Sequence, residues 1–175
     1  MKNLVAGIDI GTSVTSYALV DEFGKIYAYG CLNTEEHRNF NQFVTALKKE
    51  IDALSNALEF PHGIDAIGIG APNGNYYTGT IENAPNLLWG RQRVEFSKLL
   101  SEAMGGLPVA LTNDANAAAV GEMTYGAARG MKNFIMITLG TGVGSGIVIN
   151  GEVVYGHDGF AGELGHTAAV HNNGR

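Results

Sequence analysis

"IDIGTSVTSY" at residues 8–17 and "ITLGTGVGSG" at residues 137–146 are two versions of one pattern. Setting Gly11 against Gly140 also aligns Thr12 with Thr141, Val14 with Val143 and Ser16 with Ser145. In each copy an apolar run enters a Gly-Thr turn and leaves as a second apolar run, which is the pattern of a β-hairpin. Such a turn leaves backbone N–H groups free, and concavities of N–H groups bind anions. Gly11, Gly140, Gly142 and Gly144 let the backbone come close to phosphate oxygens, and the hydroxyls of Thr12, Ser13 and Thr141 add donors. An ordinary glycine hairpin is the commoner meaning of either copy alone. The matched pair, with Asp9 just ahead of the first turn, points instead to two hairpins holding the phosphates of one nucleotide from both sides. Asp9 is either a turn cap or a carboxylate for hydrated Mg2+, an ion that keeps most of its waters and takes one or two carboxylates.

Composition narrows the partners. The 175 residues suit one domain, or one domain and the opening of a second. A charged fraction of 16% is low for a globular chain, and 25 glycines are about twice the ordinary share, so turns and close backbone approaches are frequent. A net charge of -6, with Lys and Arg scattered, offers no patch for a nucleic-acid backbone, and none is expected as a partner. Cys31 is the only cysteine and forms no internal disulfide. No leader-like segment precedes the first apolar run, and none approaches membrane-spanning length; a soluble, cytoplasmic protein without membrane partners is expected.

Along the chain, residues 4–10, 14–20 and 25–31 read as a three-stranded meander. Phe40, Phe43, Val44, Leu47, Ile51, Leu54 and Leu58 recur at helical spacing, and the helix should end before Pro61. A buried strand is expected at 64–72, a long ordered loop at 73–90, and a helix over 94–104. A short strand at 109–112, an alanine-rich helix from 115 to about 128, and strands at 134–139 and 145–150 follow. Trp89 is expected in the core. This order describes an α/β fold, a mixed sheet with flanking helices, followed by the start of a second, similar unit. The boundary is expected between residues 1–112 and 113–175.

The two hairpins resemble the phosphate motifs of the actin-like ATPase superfamily, whose fold is ribonuclease H-like. "GIGAPNGNYYTGTIENAPNL" (68–87), "LTNDANAAAVGE" (111–122) and "GFAGELGH" (159–166) narrow the resemblance to the ROK family of bacterial sugar kinases (repressor, open reading frame, kinase). The resemblance covers nearly the whole chain. It implies transfer of the ATP γ-phosphate to a hexose hydroxyl, with glucose the first candidate. It also implies Asp114 as catalytic base and Asn113, Glu163 and His166 at the sugar, with Asn73, Gly74 and Asn75 where the family brings backbone and a polar side chain to it. Glu82, Asn83 and Asn86 in the following loop either face the cleft or serve as turn residues, and the turn reading is preferred. Taken alone, Asp114 reads equally as a helix N-cap.

In this family the residue matching His166 joins three downstream cysteines on a structural Zn2+. The resemblance implies structural Zn2+ in the complete protein, on His166 with cysteines beyond residue 175; with Cys31 the only thiol, residues 1–175 are expected to lack the metal and, alone, to be a poor catalyst. His157 and His171 are read as loop residues. Homodimers are usual among such kinases, and one is expected here. The family also contains sugar-responsive repressors, which carry a winged helix-turn-helix ahead of the first phosphate motif; only eight residues precede Asp9. A non-catalytic sugar-binding protein is the remaining alternative.

Overall fold

The computed structural model describes residues 3–58, 63–140 and 142–167. Pro61, Thr141 and His171, each named above, lie outside the described residues.

Alternation of apolar and small or polar residues builds the first sheet. Strands β1 (Leu4–Ile10), β2 (Val14–Asp21) and β3 (Ile26–Asn33) form the expected meander. After helix α1 (Phe40–Ala57), strand β4 (Ala66–Ala71) joins β1 in parallel. Within the 73–90 segment, expected to be a loop, β5 (Gly74–Asn75) and β6 (Thr80–Ile81) form a small hairpin, and Ile81 also bridges Val94. That bridge moves the start of α2 to Phe96–Ala103, two residues later than the sequence suggested. Strand β7 (Val109–Asn113) completes a five-stranded mixed sheet ordered β3-β2-β1-β4-β7.

One face of this sheet carries the core. Ile8, Leu19, Ile67, Ile69 and Leu111 lie against α1 and α2, which contribute Phe43, Leu47, Ile51, Phe96 and Leu100. Trp89 is buried as expected, with ring centroids 5.1 Å from Phe43 and 5.3 Å from Phe40.

On the opposite face the residues are small: Gly7, Ala18, Gly68, Gly70 and Ala110. They admit α3 (Asp114–Thr124), which lies between this sheet and a second one made of β8 (Phe134–Leu139), β9 (Val143–Ile149) and β10 (Glu152–Val153). α3 stops at Thr124 rather than near Ala128, because the Glu122 carboxylate turns back to accept the Ala127 N–H at 2.7 Å. Beyond it, the Tyr125 hydroxyl donates to the Glu22 carbonyl at 3.1 Å, tying the end of α3 to the β2–β3 turn.

The two hairpins share their turn sequence but not their register. Ile10 pairs with Thr15 in the first, whereas Leu139 pairs with Val143 in the second, one residue tighter. The aligned serines therefore differ: Ser16 is exposed opposite Asp9, while Ser145 is buried opposite Ile137.

Candidate functional site

Asp9 stands near the end of β1, with Gly70 of β4 beside it in parallel register. A side chain at Gly70 would bring its Cβ within 3.1 Å of Ala117 Cβ, 3.4 Å of Asp114 Cα and 3.8 Å of Asp9 Oδ1. The bare backbone at Gly70 is thus the floor on which the two carboxylates converge. Asp9, Gly70, Asp114, Ala117, Ala118 and Thr138 line a cleft of about 410 Å³ joining the two sheets. A larger hollow of about 810 Å³ runs over the small-residue face of the first sheet. Its walls are mainly apolar, with Asp9 at one edge, whereas the smaller cleft brings in both carboxylates.

Asp114 is positioned by helix termination chemistry. Asn113 is the N-cap of α3, its side-chain oxygen accepting the Ala115 N–H at 2.9 Å; Asp114 is the first helical residue and accepts the same N–H at 2.7 Å. The capping role weighed for Asp114 thus falls on Asn113, leaving the exposed Asp114 carboxylate at the cleft. Loss of surrounding water, then the nearby Asp114 charge, raises the Asp9 carboxyl above its ordinary range, although the side chain remains open to solvent on one side.

The first Gly-Thr turn is closed by a hydrogen bond from Gly11 N–H to the Val14 carbonyl at 3.1 Å, and a side chain at Gly11 would run into that carbonyl. Thr12 and Ser13 are exposed at its tip, and the Ser13 hydroxyl donates to Glu35 at 2.8 Å. In the second turn Gly140 N–H donates to the Gly142 carbonyl at 2.9 Å, with both glycines exposed. Gly144 is further inside, facing Ala115 of α3.

The residues of the loop after β4 are placed more tightly than their sequence suggests. Asn73, at φ 53°, donates to the carbonyls of Glu82 and Asn83 at 3.0 and 3.1 Å. Gly74 lies against the Thr112 carbonyl, with no room for a side chain. Asn75 is 4% exposed and bonds across to Asp158. Glu82 accepts from the Thr80 hydroxyl at 2.6 Å, while Asn83, at φ 51°, and exposed Asn86 are turn residues as expected.

Glu163 and His166 are exposed together on a 3-10 turn (Leu164–His166) that packs on β9; Glu163 Oε2 is 3.7 Å from His166 Nε2. Gly70 and Thr138 were not anticipated as cleft residues. Thr138 was findable, because it occupies the place of Asp9 in the aligned repeat. Gly70 was hidden inside a run that reads simply as a buried strand.

The sequence profile of the ROK family matches residues 5–175. The chain belongs to the ROK family. It is 40% identical over 171 residues to a glucokinase of Streptomyces coelicolor, covering 95% of this chain and 50% of the relative. A ROK glucokinase of Streptomyces griseus, solved with glucose and AMPPNP, superposes with a TM-score of 0.82 at 35% identity, covering 96% of this chain and 51% of that one. A xylose repressor of Caldicellulosiruptor bescii is 32% identical, covering 93% of this chain and 41% of the repressor. The chain spans about half the length of the curated relatives it matches. The mixed sheet with flanking helices is accordingly the actin-like ATPase fold of ROK sugar kinases.

Proposed function

We propose that the protein is an ATP-dependent hexose kinase whose first acceptor is glucose. The observation that carries this reading is that Asp9 and Asp114 meet beside Gly70, in a cleft lined by the strands that lead into the two glycine turns and by α3. The 40% identity to a glucokinase and the likeness to a glucokinase solved with glucose and AMPPNP support it.

Phosphoryl transfer asks chiefly for positioning and charge stabilisation, plus a carboxylate to take the acceptor proton. Asp114 takes the hydroxyl proton as the sugar oxygen bonds to the γ-phosphorus and the bond from that phosphorus to ADP breaks. The turns at Gly11–Ser13 and Gly140–Gly142 offer N–H groups and hydroxyls to the phosphates. Asp9, exposed at the strand end, suits hydrated Mg2+, which would neutralise phosphate charge. Glu163 and His166 offer an acceptor and a donor for sugar hydroxyls, and the Asn113 amide is beside the base. Zinc does not fit the described residues: no group of three or more His, Cys, Asp or Glu side chains is assembled among them, and Cys31 belongs to the other sheet.

A coupled ADP-release assay of the full-length protein across glucose, N-acetylglucosamine, N-acetylmannosamine, fructose and allose tests the proposal. Turnover on glucose above the others is expected. Sugar binding with no turnover on any of them would favour the sensor reading, which the repressor relative also supports.

A further inference from the structure

We infer that Asn75 is a positioning residue that latches the segment carrying Glu163 and His166 to the loop after β4. This inference rests on the kinase reading above. Asn75 is committed mainly to the protein: its Nδ2 donates to the Asp158 carbonyl at 2.9 Å, and its Oδ1 accepts the Tyr77 and Thr78 N–H groups at 3.0 and 3.4 Å. Three donors and acceptors of the amide are thereby engaged, in a side chain 4% exposed.

The opposite wall of the latch is built to receive it. Gly159 has φ +93°, and a Cβ there would stand 2.6 Å from Asn75 Oδ1, so only glycine allows the approach. The Tyr77 hydroxyl donates to the Gly156 carbonyl at 2.9 Å, and the Tyr76 and Tyr155 rings stack at 4.2 Å and 4°. At its other end the same segment is fixed to the second hairpin: the Ser145 hydroxyl donates to the Gly162 carbonyl, and Gly165 lies against the Val143 carbonyl. Glu163 and His166 thus hang between two anchors, one on the first sheet's loop and one on the second sheet. Asn75 sets where they stand relative to Asp114 without touching the sugar.

Asn75→Asp isolates the latch. A carboxylate still accepts the Tyr77 N–H, so the loop turn persists, but it cannot donate to the Asp158 carbonyl. In the full-length enzyme we expect this variant to raise the sugar KM about tenfold, with kcat and the ATP KM within about threefold of wild type. Gly159→Ala, which pushes on the latch from the other side, should raise the sugar KM likewise, and the double variant should be less than the product of the two. Hydrogen exchange of residues 156–167 should accelerate in Asn75→Asp while that of β8 does not.

Asn75 acting as a direct sugar ligand gives a different pattern: aspartate accepts from hydroxyls as well, so Asn75→Asp retains the KM, and Gly159→Ala combines multiplicatively with Asn75→Ala. That pattern, or unchanged exchange in 156–167, would overturn the inference. A wild-type protein without turnover would sink the kinase reading alone, because the exchange measurement decides the latch by itself.

Discussion

Asp9 carries its charge at an unfavourable site. Its carboxyl binds a proton more tightly folded than unfolded, through partial loss of water and then the Asp114 charge, so stability is fullest below the ordinary value of 3.8 and is lost as pH rises through the folded-state value. Asp9→Asn is therefore expected to raise the melting temperature at neutral pH, with the gain shrinking toward pH 3, and to abolish ATP-dependent turnover. Thermal melts at the two pH values check this; an equal gain at both would contradict the assignment. Asn113 separates cap from ligand. Asn113→Ala should cost about 1 kcal/mol in urea unfolding, and Asn113→Asp, which keeps the acceptor for Ala115, should cost much less. Equal losses would remove the cap from the account. The positions of these residues were legible: Asp9 near a strand end, Gly11 in the first turn and Asp114 at the start of α3 follow from the pattern of the sequence. The fates of Asn73 and Asn75 were not legible, because whether a turn amide faces ligand or protein depends on contacts as distant in sequence as Asp158.

Helix α3 is the element on which the cleft depends. Its alanines let it sit close to both sheets: Gly144 and Gly146 of β9 face Ala115 and Ala119, and a Cβ at Gly146 would stand 2.7 Å from Ala119 Cβ and 2.8 Å from the Ala115 carbonyl. Gly146→Ala must separate α3 from β9, because the obstacle includes helix backbone. A loss of about 1–3 kcal/mol in unfolding free energy is expected, together with reduced turnover, since Asp114 begins this helix. Wild-type stability would show that the packing is looser than described. The alanine run and α1 were readable from spacing alone. The start of α2 was not, because Val94 belongs by periodicity to the helix but pairs with Ile81. Nor was the β5–β6 hairpin, whose two-residue strands are too short to show any period.

At the scale of the whole molecule, strands of both sheets and helix α3 together line the carboxylate cleft. The repeat pointed to both hairpins but not to the one-residue difference in register, which buries Ser145 for the Gly162 contact while leaving Ser16 exposed beside Asp9. A turn's tightness is set by how its glycines fold, which shared letters do not specify. No helix among the described residues is long and apolar enough to cross a membrane. The apolar residues Ile135, Ile137 and Leu139 of β8 are 54, 55 and 82% exposed, so they form an open apolar row on the second sheet. In the proposed reading the cleft holds a sugar hydroxyl between Asp114 and a nucleotide phosphate. Its most direct test is to measure glucose binding by calorimetry and ADP release together in full-length wild type and Asp114→Asn. The account predicts glucose affinity within about threefold and turnover lower by at least about 10²-fold. An Asp114→Asn enzyme that phosphorylates glucose at the wild-type rate would contradict it.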